Sequence, residues 1–442
     1  MSLLLSLPQL RGPILSQLRS TTSIFTRKMS STEHFKQSPH KLLVIPGPIE
    51  VSDEVLFANA HPSMSHVSPD FIPIFGDCIR MMRTVVDTAE GQPFLIAGSG
   101  TLGWDQIASN LVEPGENALV LHSGYFGDSF ADCLETYGAN VDQVKAKIGA
   151  AVSQEAIEDA LKKKKYKLLT FTHVDTSTAV LSNAKAIVET VRRVSPDTLV
   201  ALDGVCSVAS EEIHMDQWDL DIIITASQKG LGTPPGLSIL VASKRAMQVF
   251  NSRKSRPTSY YASWKKWLPI MQAYESGKPS YFATPPVNLI YAFHASLSAI
   301  TKAAPSLAER YELHREASRK IKAAAKELGL KQLPLDPDFA ATGMTALWYP
   351  DGLGAGDILP RLAKRGIVAA GGLHVDVKDK YFRIGHMGIT AVEKSRGDVD
   401  SVIIALKETL AEATAEKTKQ GYSDSFGPSR NVNDGLMMKA RL

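Results

Sequence analysis

Leu220-Asp221-Ile222-Ile223-Ile224-Thr225-Ala226-Ser227-Gln228-Lys229-Gly230-Leu231-Gly232-Thr233-Pro234-Pro235-Gly236 is an apolar run that ends abruptly in a lysine and a Gly/Pro-rich turn. The run reads as a buried strand, so Lys229 stands at its exit. A lysine there is costly unless its amine is neutral, paired or covalently used. Desolvation lowers the pKa of such an amine and makes it a nucleophile toward carbonyls.

Working outward, the same pattern recurs on the amino-terminal side. Gln92 to Ala97 reads as a strand followed by Gly98-Ser99-Gly100-Thr101 and a helix from Leu102 to Leu111. A turn of this kind before a helix offers free N–H groups and the helix dipole to an anion, with Ser99 and Thr101 adding hydroxyls. Asn117 to Leu121 is a strand ending in Ser123-Gly124-Tyr125-Phe126-Gly127, where an aromatic between glycines can lie against a ring. Lys167 to Thr172 exits into His173-Val174-Asp175-Thr176-Ser177-Thr178, and Thr198 to Leu202 exits into Asp203-Gly204-Val205-Cys206-Ser207. Ser238 to Ala242 is one more strand. A carboxylate placed as Asp203 is needs a cationic partner. Strands alternating with helices from Gln92 to Ala242 predict an α/β fold with a mostly parallel sheet. Ligands of such sheets bind beyond the carboxyl ends of the strands, where every one of these residues falls.

On the carboxyl-terminal side, Asn288 to Thr301 and Leu307 to Leu328 read as helices, the second amphipathic. Thr342 to Trp348 and Ile367 to Ala370 read as strands, Ala355 to Arg365 and Val392 to Ala415 as helices. Arg383 lies in Tyr381-Phe382-Arg383-Ile384-Gly385, a strand-like stretch where its fork can take a carboxylate at two points. On the far amino-terminal side, Lys41 to Ile45 is an arm stopped by Pro46-Gly47-Pro48, and Phe71 to Thr88 has helical spacing.

The chain has 442 residues, 49 Lys+Arg against 46 Asp+Glu, and three cysteines without metal-ligand spacing. This balance forces no nucleic-acid face. It offers neither a metal site nor a disulfide framework. No apolar run reaches the roughly 20 residues of a membrane-spanning helix. Residues 1–32 carry Arg11, Arg19, Arg27 and Lys28 and no acid, as mitochondrial presequences do, and Ala440-Arg441-Leu442 is similar to the Ser-Lys-Leu peroxisomal signal. The expected organisation is a targeting segment at 1–40, an arm and large domain at 41–300, a smaller α+β domain at 301–418, and a tail at 419–442.

Gly98-Ser99-Gly100, the Asp203 turn, Ser227-Gln228-Lys229 with Pro234-Pro235-Gly236, and Arg383-Ile384-Gly385 together resemble the class V aminotransferases of the fold-type-I pyridoxal phosphate superfamily. Within that group the chain resembles the alanine–glyoxylate and serine–pyruvate enzymes, over about Leu42 to Leu410. The resemblance implies pyridoxal 5'-phosphate as cofactor and small amino acids and 2-oxo acids as substrates. It also implies a homodimer whose sites are shared across the interface, in a peroxisome or a mitochondrion. Residue by residue, it implies that Lys229 makes the covalent link to the cofactor. Ser99, Gly100, Thr101 and Gln228 would hold the phosphate. Phe126 would stack on the ring where the family usually has Trp, and Val205 would pack beneath it. Thr176 would meet the phenolic oxygen and Asp203 the ring nitrogen. Tyr281 and Thr284 would reach the neighbour's phosphate, and Arg383 and Gly47 the substrate. Two departures bear on substrate preference: His66-Val67-Ser68-Pro69 lacks the arginine of the family's His-Arg-Ser-Pro, and Thr101 stands where many relatives have His. The rival reading is a lyase of cysteine desulfurase type, which needs a mobile reactive thiol.

Overall fold

The apolar runs assemble side by side. The structure, a computed structural model, describes residues 35–425. Its elements begin with β1 (Leu42–Leu43), α1 (Asp53–Asn59), α2 (Phe71–Val85), β2 (Gln92–Ala97), α3 (Leu102–Leu111), β3 (Asn117–His122), α4 (Tyr125–Thr136), β4 (Asn140–Lys145) and α5 (Gln154–Lys163). Next come β5 (Leu168–Thr172), β6 (Val174–Asp175), β7 (Val180–Leu181), α6 (Ala184–Val194), β8 (Leu199–Asp203), β9 (Ile222–Ala226), β10 (Leu237–Ala242), α7 (Lys244–Asn251), α8 (Trp264–Glu275) and α9 (Val287–Thr301). The rest is α10 (Leu307–Glu327), β11 (Met344–Trp348), α11 (Ala355–Lys364), β12 (Ile367–Val368), β13 (Ala370–Gly371), β14 (Tyr381–Gly385), α12 (Ile389–Val392) and α13 (Asp398–Ser425).

Seven strands form the main sheet in the order β2-β10-β9-β8-β5-β3-β4. From β4 to β9 the neighbours are parallel, whereas β10 is antiparallel to both β9 and β2. The expected α/β fold with a mostly parallel sheet is therefore present. β10 reverses because the lysine turn joins it to β9 directly, with no helix to carry the chain back as a parallel crossover requires. Ile222, Ile223 and Ile224 of β9 are buried to within 1%, each contributing about 1.5–3 kcal/mol of apolar burial.

A second core joins β11, β14, α11 and α13, through Leu347, Phe382, Ile358, Leu362, Val402 and Leu406. Val44 of the arm sits in that core, and β1 pairs with β12 in parallel. Residues 42–44 thus pack with the carboxyl-terminal elements rather than with the main sheet.

Some elements differ from the sequence reading. Tyr125 and Phe126 open α4 instead of lying in a turn, and β4 and α5 occupy a stretch for which no element was expected. The run from Ile367 to Ala370 is split between two pairings, β12 with β1 and β13 with β14. The closing helix starts at Asp398, after Gly397 at φ +68° interrupts it. The targeting-like sequence before residue 35 and the end of the tail from residue 426 lie outside the described residues.

Candidate active site

The lysine turn is fixed by its own backbone. Ser227 Oγ donates to the Pro234 carbonyl at 2.8 Å and accepts from the Leu237 N–H at 3.3 Å, while Gly232 N–H closes onto the Lys229 carbonyl at 2.8 Å. Lys229 is 8% exposed, and its Nζ donates to the carbonyl of Pro46, 183 residues earlier. Gly47 permits that approach. It holds φ +117°, and a Cβ there would stand 2.3 Å from Lys229 Cδ and 2.7 Å from Nζ. Burial lowers the pKa of this amine; the Arg383 charge lowers it further, while Cys206 and Asp203 act the other way.

Asp203 ends β8, next to β9, and opposes Ile224 in register. Its Oδ1 accepts from the Val205 N–H at 3.0 Å and its Oδ2 from Trp104 Nε1 at 2.8 Å. Burial pushes its pKa up to about 6, against the pull of those two bonds. A second carboxylate, Asp175, lies nearby and is fully buried. It accepts from Ser177 N–H at 2.9 Å and from the Phe126 N–H at 3.3 Å, so it caps the start of α4 and orients Phe126. Phe126 is half-buried and meets Trp104 edge-on, centroids 6.4 Å apart. Thr176 is buried beside Cys206.

At the exit of β2, the N–H groups of Ser99, Gly100 and Thr101 donate to no acceptor among the described residues. They sit at the N-terminus of the ten-residue α3, where backbone donors and dipole favour an anion. Ser99 and Thr101 are exposed, while Gly100 is buried; a Cβ on it would stand 3.1 Å from Val205 and 3.2 Å from Ala226. Gln228 Oε1 is buried without a partner. Arg383 comes from the other core. Its Nε donates to the Gly371 carbonyl at 2.8 Å and Nη1 to the Thr176 carbonyl at 3.0 Å. Nη2 has no hydrogen-bond partner among the described residues, which leaves part of the fork for a ligand carboxylate.

Gly100, Val205, Asp203, Lys229, Gly47, Arg383, Thr176 and, through Asp175, Phe126 are thus linked by contacts or fields around one region. Ser99, Thr101 and Gln228 join it as chain neighbours of Gly100 and Lys229. Tyr281 and Thr284 are not drawn in with them. Both are exposed on the loop before α9, and Tyr281, 64% exposed, rests against the His66 ring at 5.1 Å. Sequence reasoning missed Trp104, Asp175 and Pro46. The signal for Asp175 was its place between a strand end and two hydroxyls; Trp104 carried none beyond an indole in the first turn of α3.

The residues fit pyridoxal phosphate. Free N–H donors match a phosphate, a buried carboxylate suits a ring nitrogen, and a lysine of lowered pKa suits an aldehyde. Cys206 does not fit a desulfurase thiol. It is buried, packs against Met344 Sδ at 3.7 Å, and burial raises its pKa.

The model of the family Aminotransferase class-V matches residues 51–388. The chain is 44% identical over 364 residues to alanine–glyoxylate aminotransferase 1 of Saccharomyces cerevisiae, covering 80% of this chain and 93% of that protein. It is 29% identical over 349 residues to L-aspartate–glyoxylate aminotransferase of Paracoccus denitrificans, covering 78% and 86%. Among solved structures it is similar to alanine–glyoxylate aminotransferase from Nostoc sp., with a TM-score of 0.78 at 28% identity over 85% of this chain and 96% of that one.

Proposed function

The chain belongs to the class V aminotransferases, and from that premise we propose that it transfers the amino group of L-alanine to glyoxylate, giving pyruvate and glycine. The observation that carries the reading is the buried Lys229 amine, its pKa lowered by burial, in the field of Asp203 and Arg383. All three relatives described above have glyoxylate in their names, and two of them have alanine. The rival donors are serine and aspartate.

Pyridoxal phosphate, when bound, supplies an electron sink for the bond broken at the substrate α-carbon. The chain supplies position and proton transfer. Ser99, Gly100, Thr101 and Gln228 would hold its phosphate, Val205 and Phe126 would flank its ring, and Thr176 would meet its phenolic oxygen. Asp203, ionised, would keep the ring nitrogen protonated. Arg383 takes the substrate carboxylate and, with Gly47, sets which bond of the α-carbon faces Lys229. Lys229 Nζ, as a neutral amine, would take the proton from the substrate α-carbon as general base and give it up as general acid at the cofactor's carbon. Pyruvate leaves before glyoxylate enters, so the kinetics are ping-pong.

Tyr281 and Thr284 complete the phosphate site of a second copy in a homodimer; their exposure supports this. The arm and the large domain together span 41–300 and the small domain 301–418, with residues 42–44 of the arm packed on the small domain. The presequence-like residues 1–32 and the Ala440-Arg441-Leu442 end support delivery to mitochondrion or peroxisome. Reporter fusions lacking either end test the address, and an unchanged location rejects it. Sedimentation that finds a fully active monomer rejects the shared site.

The test of the activity is a panel of alanine, serine and aspartate against glyoxylate, with the visible absorbance of the purified protein. Alanine is expected to be the best donor, and Lys229→Ala to abolish both turnover and the visible band of the lysine-bound cofactor. A wild type that stays colourless with added cofactor and transaminates none of the panel overturns the reading.

A further inference from the structure

Arg310, in the first turn of α10, is 8% exposed, and no carboxylate is among the groups that act on it. Burial lowers its pKa to about 10. A guanidinium removed from water without a counter-charge is costly, and a packed apolar side chain usually serves a merely structural site better. Its hydrogen bonds identify what it holds. Nε donates to the Ala209 carbonyl at 3.1 Å and Nη2 to the Gly230 carbonyl at 3.0 Å. Gly230 directly follows Lys229, and a Cβ there would stand 2.3 Å from the Val208 carbonyl. The lysine turn is thus pressed against the 208–209 backbone on one side and gripped by Arg310.

One helical turn on, His314 completes a chain of bonds. Its Nε2 accepts the Gly388 N–H at 3.0 Å, so the proton resides on Nδ1, which donates to the Arg310 carbonyl at 2.7 Å. The ring is fully buried and neutral, with its pKa lowered to about 3 by burial and the Arg310 charge. Gly388, at φ +67°, closes the segment that leads out of the Arg383 strand. In the same segment, Gly385 N–H bonds the Val44 carbonyl at 2.7 Å, within the arm whose Pro46 receives Lys229 Nζ.

We propose that Arg310 and His314 are positioning residues. Through the Gly230 carbonyl and the Gly388 N–H they fix the lysine turn relative to the Arg383 strand, and so set the spacing between the proton-transferring amine and the carboxylate anchor. This rests on the roles given above to Lys229 and Arg383. The two halves of the relay have separate kinetic signatures. Arg310 acts on the amine, which enters kcat, and His314 acts on the anchor, which enters KM.

The experiment uses the full chain loaded with pyridoxal phosphate, as wild type, Arg310→Met, Arg310→Lys and His314→Phe. Its readouts are kcat and KM for alanine and hydrogen exchange of residues 227–233 and 383–390. Arg310→Met is expected to lower kcat by about 10- to 100-fold, the scale of a misplaced catalytic group. KM should stay within about threefold, and exchange should speed up at 227–233. Arg310→Lys, which can keep one bond to Gly230, recovers part of the rate and carries the test alone if the Met variant does not fold. His314→Phe is expected to raise KM about tenfold, with kcat within about threefold and faster exchange at 383–390. A fall in kcat with unchanged KM at His314, a rise in KM with unchanged kcat at Arg310, or unchanged exchange in both segments, overturns the relay. An active wild type without the split sinks the relay alone. A wild type that takes up no cofactor and transaminates nothing removes the roles of Lys229 and Arg383, and the relay with them.

Discussion

Trp104→Phe isolates a single bond in the site. The indole Nε1 donates to Asp203 Oδ2 at 2.8 Å, and the ring stacks on Phe130 with centroids 5.3 Å apart and planes 16° from parallel. Phenylalanine keeps the stack and removes the donor. A hydrogen bond to a charged group contributes about 1.5–3 kcal/mol, and one pKa unit corresponds to about 1.4 kcal/mol. The bond favours the ionised carboxylate, so its loss raises the Asp203 pKa from about 6 by roughly one to two units. Only ionised Asp203 can hold a protonated ring nitrogen. The acid limb of cofactor binding, followed as visible absorbance against pH, should therefore move from about pH 6 in the wild type to about pH 7–8 in the variant.

The cofactor-free protein provides a second readout. With a folded-state pKa above the ordinary 3.8, Asp203 binds more protons in the folded than in the unfolded chain between 3.8 and about 6. Its contribution to stability therefore falls as pH rises through that window. In the variant the fall continues to about pH 7–8, which melting curves across pH would register. A midpoint of cofactor binding that stays in place, or moves to lower pH, refutes the assignment of Trp104 as the second donor to Asp203.

Arg383→Lys keeps the charge but loses the fork and its bonds to the Gly371 and Thr176 carbonyls. Donor kcat/KM should fall roughly 10²- to 10³-fold through KM with the visible band unchanged, and steady-state kinetics with alanine checks it. Gly47→Ala places a methyl 2.3 Å from Lys229 Cδ at φ +117°. It should cost about 1–3 kcal/mol of stability and about 10²-fold in kcat, measured by denaturant titration and turnover. Lys322 donates to the Ala340 and Ala341 carbonyls, and burial lowers its pKa to about 8. Between pH 8 and its ordinary 10.5 the folded chain then binds fewer protons than the unfolded one, so stability contributed by this group rises with pH there, by at most about 1.4 kcal/mol per unit. Lys322→Met should flatten that rise in melting curves, and an unchanged slope counts against the burial of the amine.

How much of this was readable in the sequence follows from what each part depends on. Strand ends are local events. Ile222-Ile223-Ile224 gives way to Ser227-Gln228-Lys229 within a few residues, and Leu199 to Leu202 gives way to Asp203, so apolar runs with polar exits locate them to within two residues. Parallel pairing then places those exits on one edge, and the order of the chain already suggests a shared ligand. Edge elements follow other rules. β4 has only two apolar residues, Val141 and Val144, both half-buried, and α5 buries just Ile157, Ala160 and Leu161 in a charged helix, so neither shows an apolar run. Distances were unreadable for a different reason. Trp104 meets Asp203 across 99 residues, Pro46 meets Lys229 across 183, and Arg310 meets Gly230 across 80. Those contacts depend on how helices and arm lie against the sheet, which no periodicity encodes. The groups that perform the chemistry therefore stand in recognisable motifs, while Trp104, Gly47 and Arg310, which set their pKa and position, stand outside the strand-exit pattern. Substitutions there should change rate and pH dependence while leaving Ser227-Gln228-Lys229 and the Asp203 turn intact.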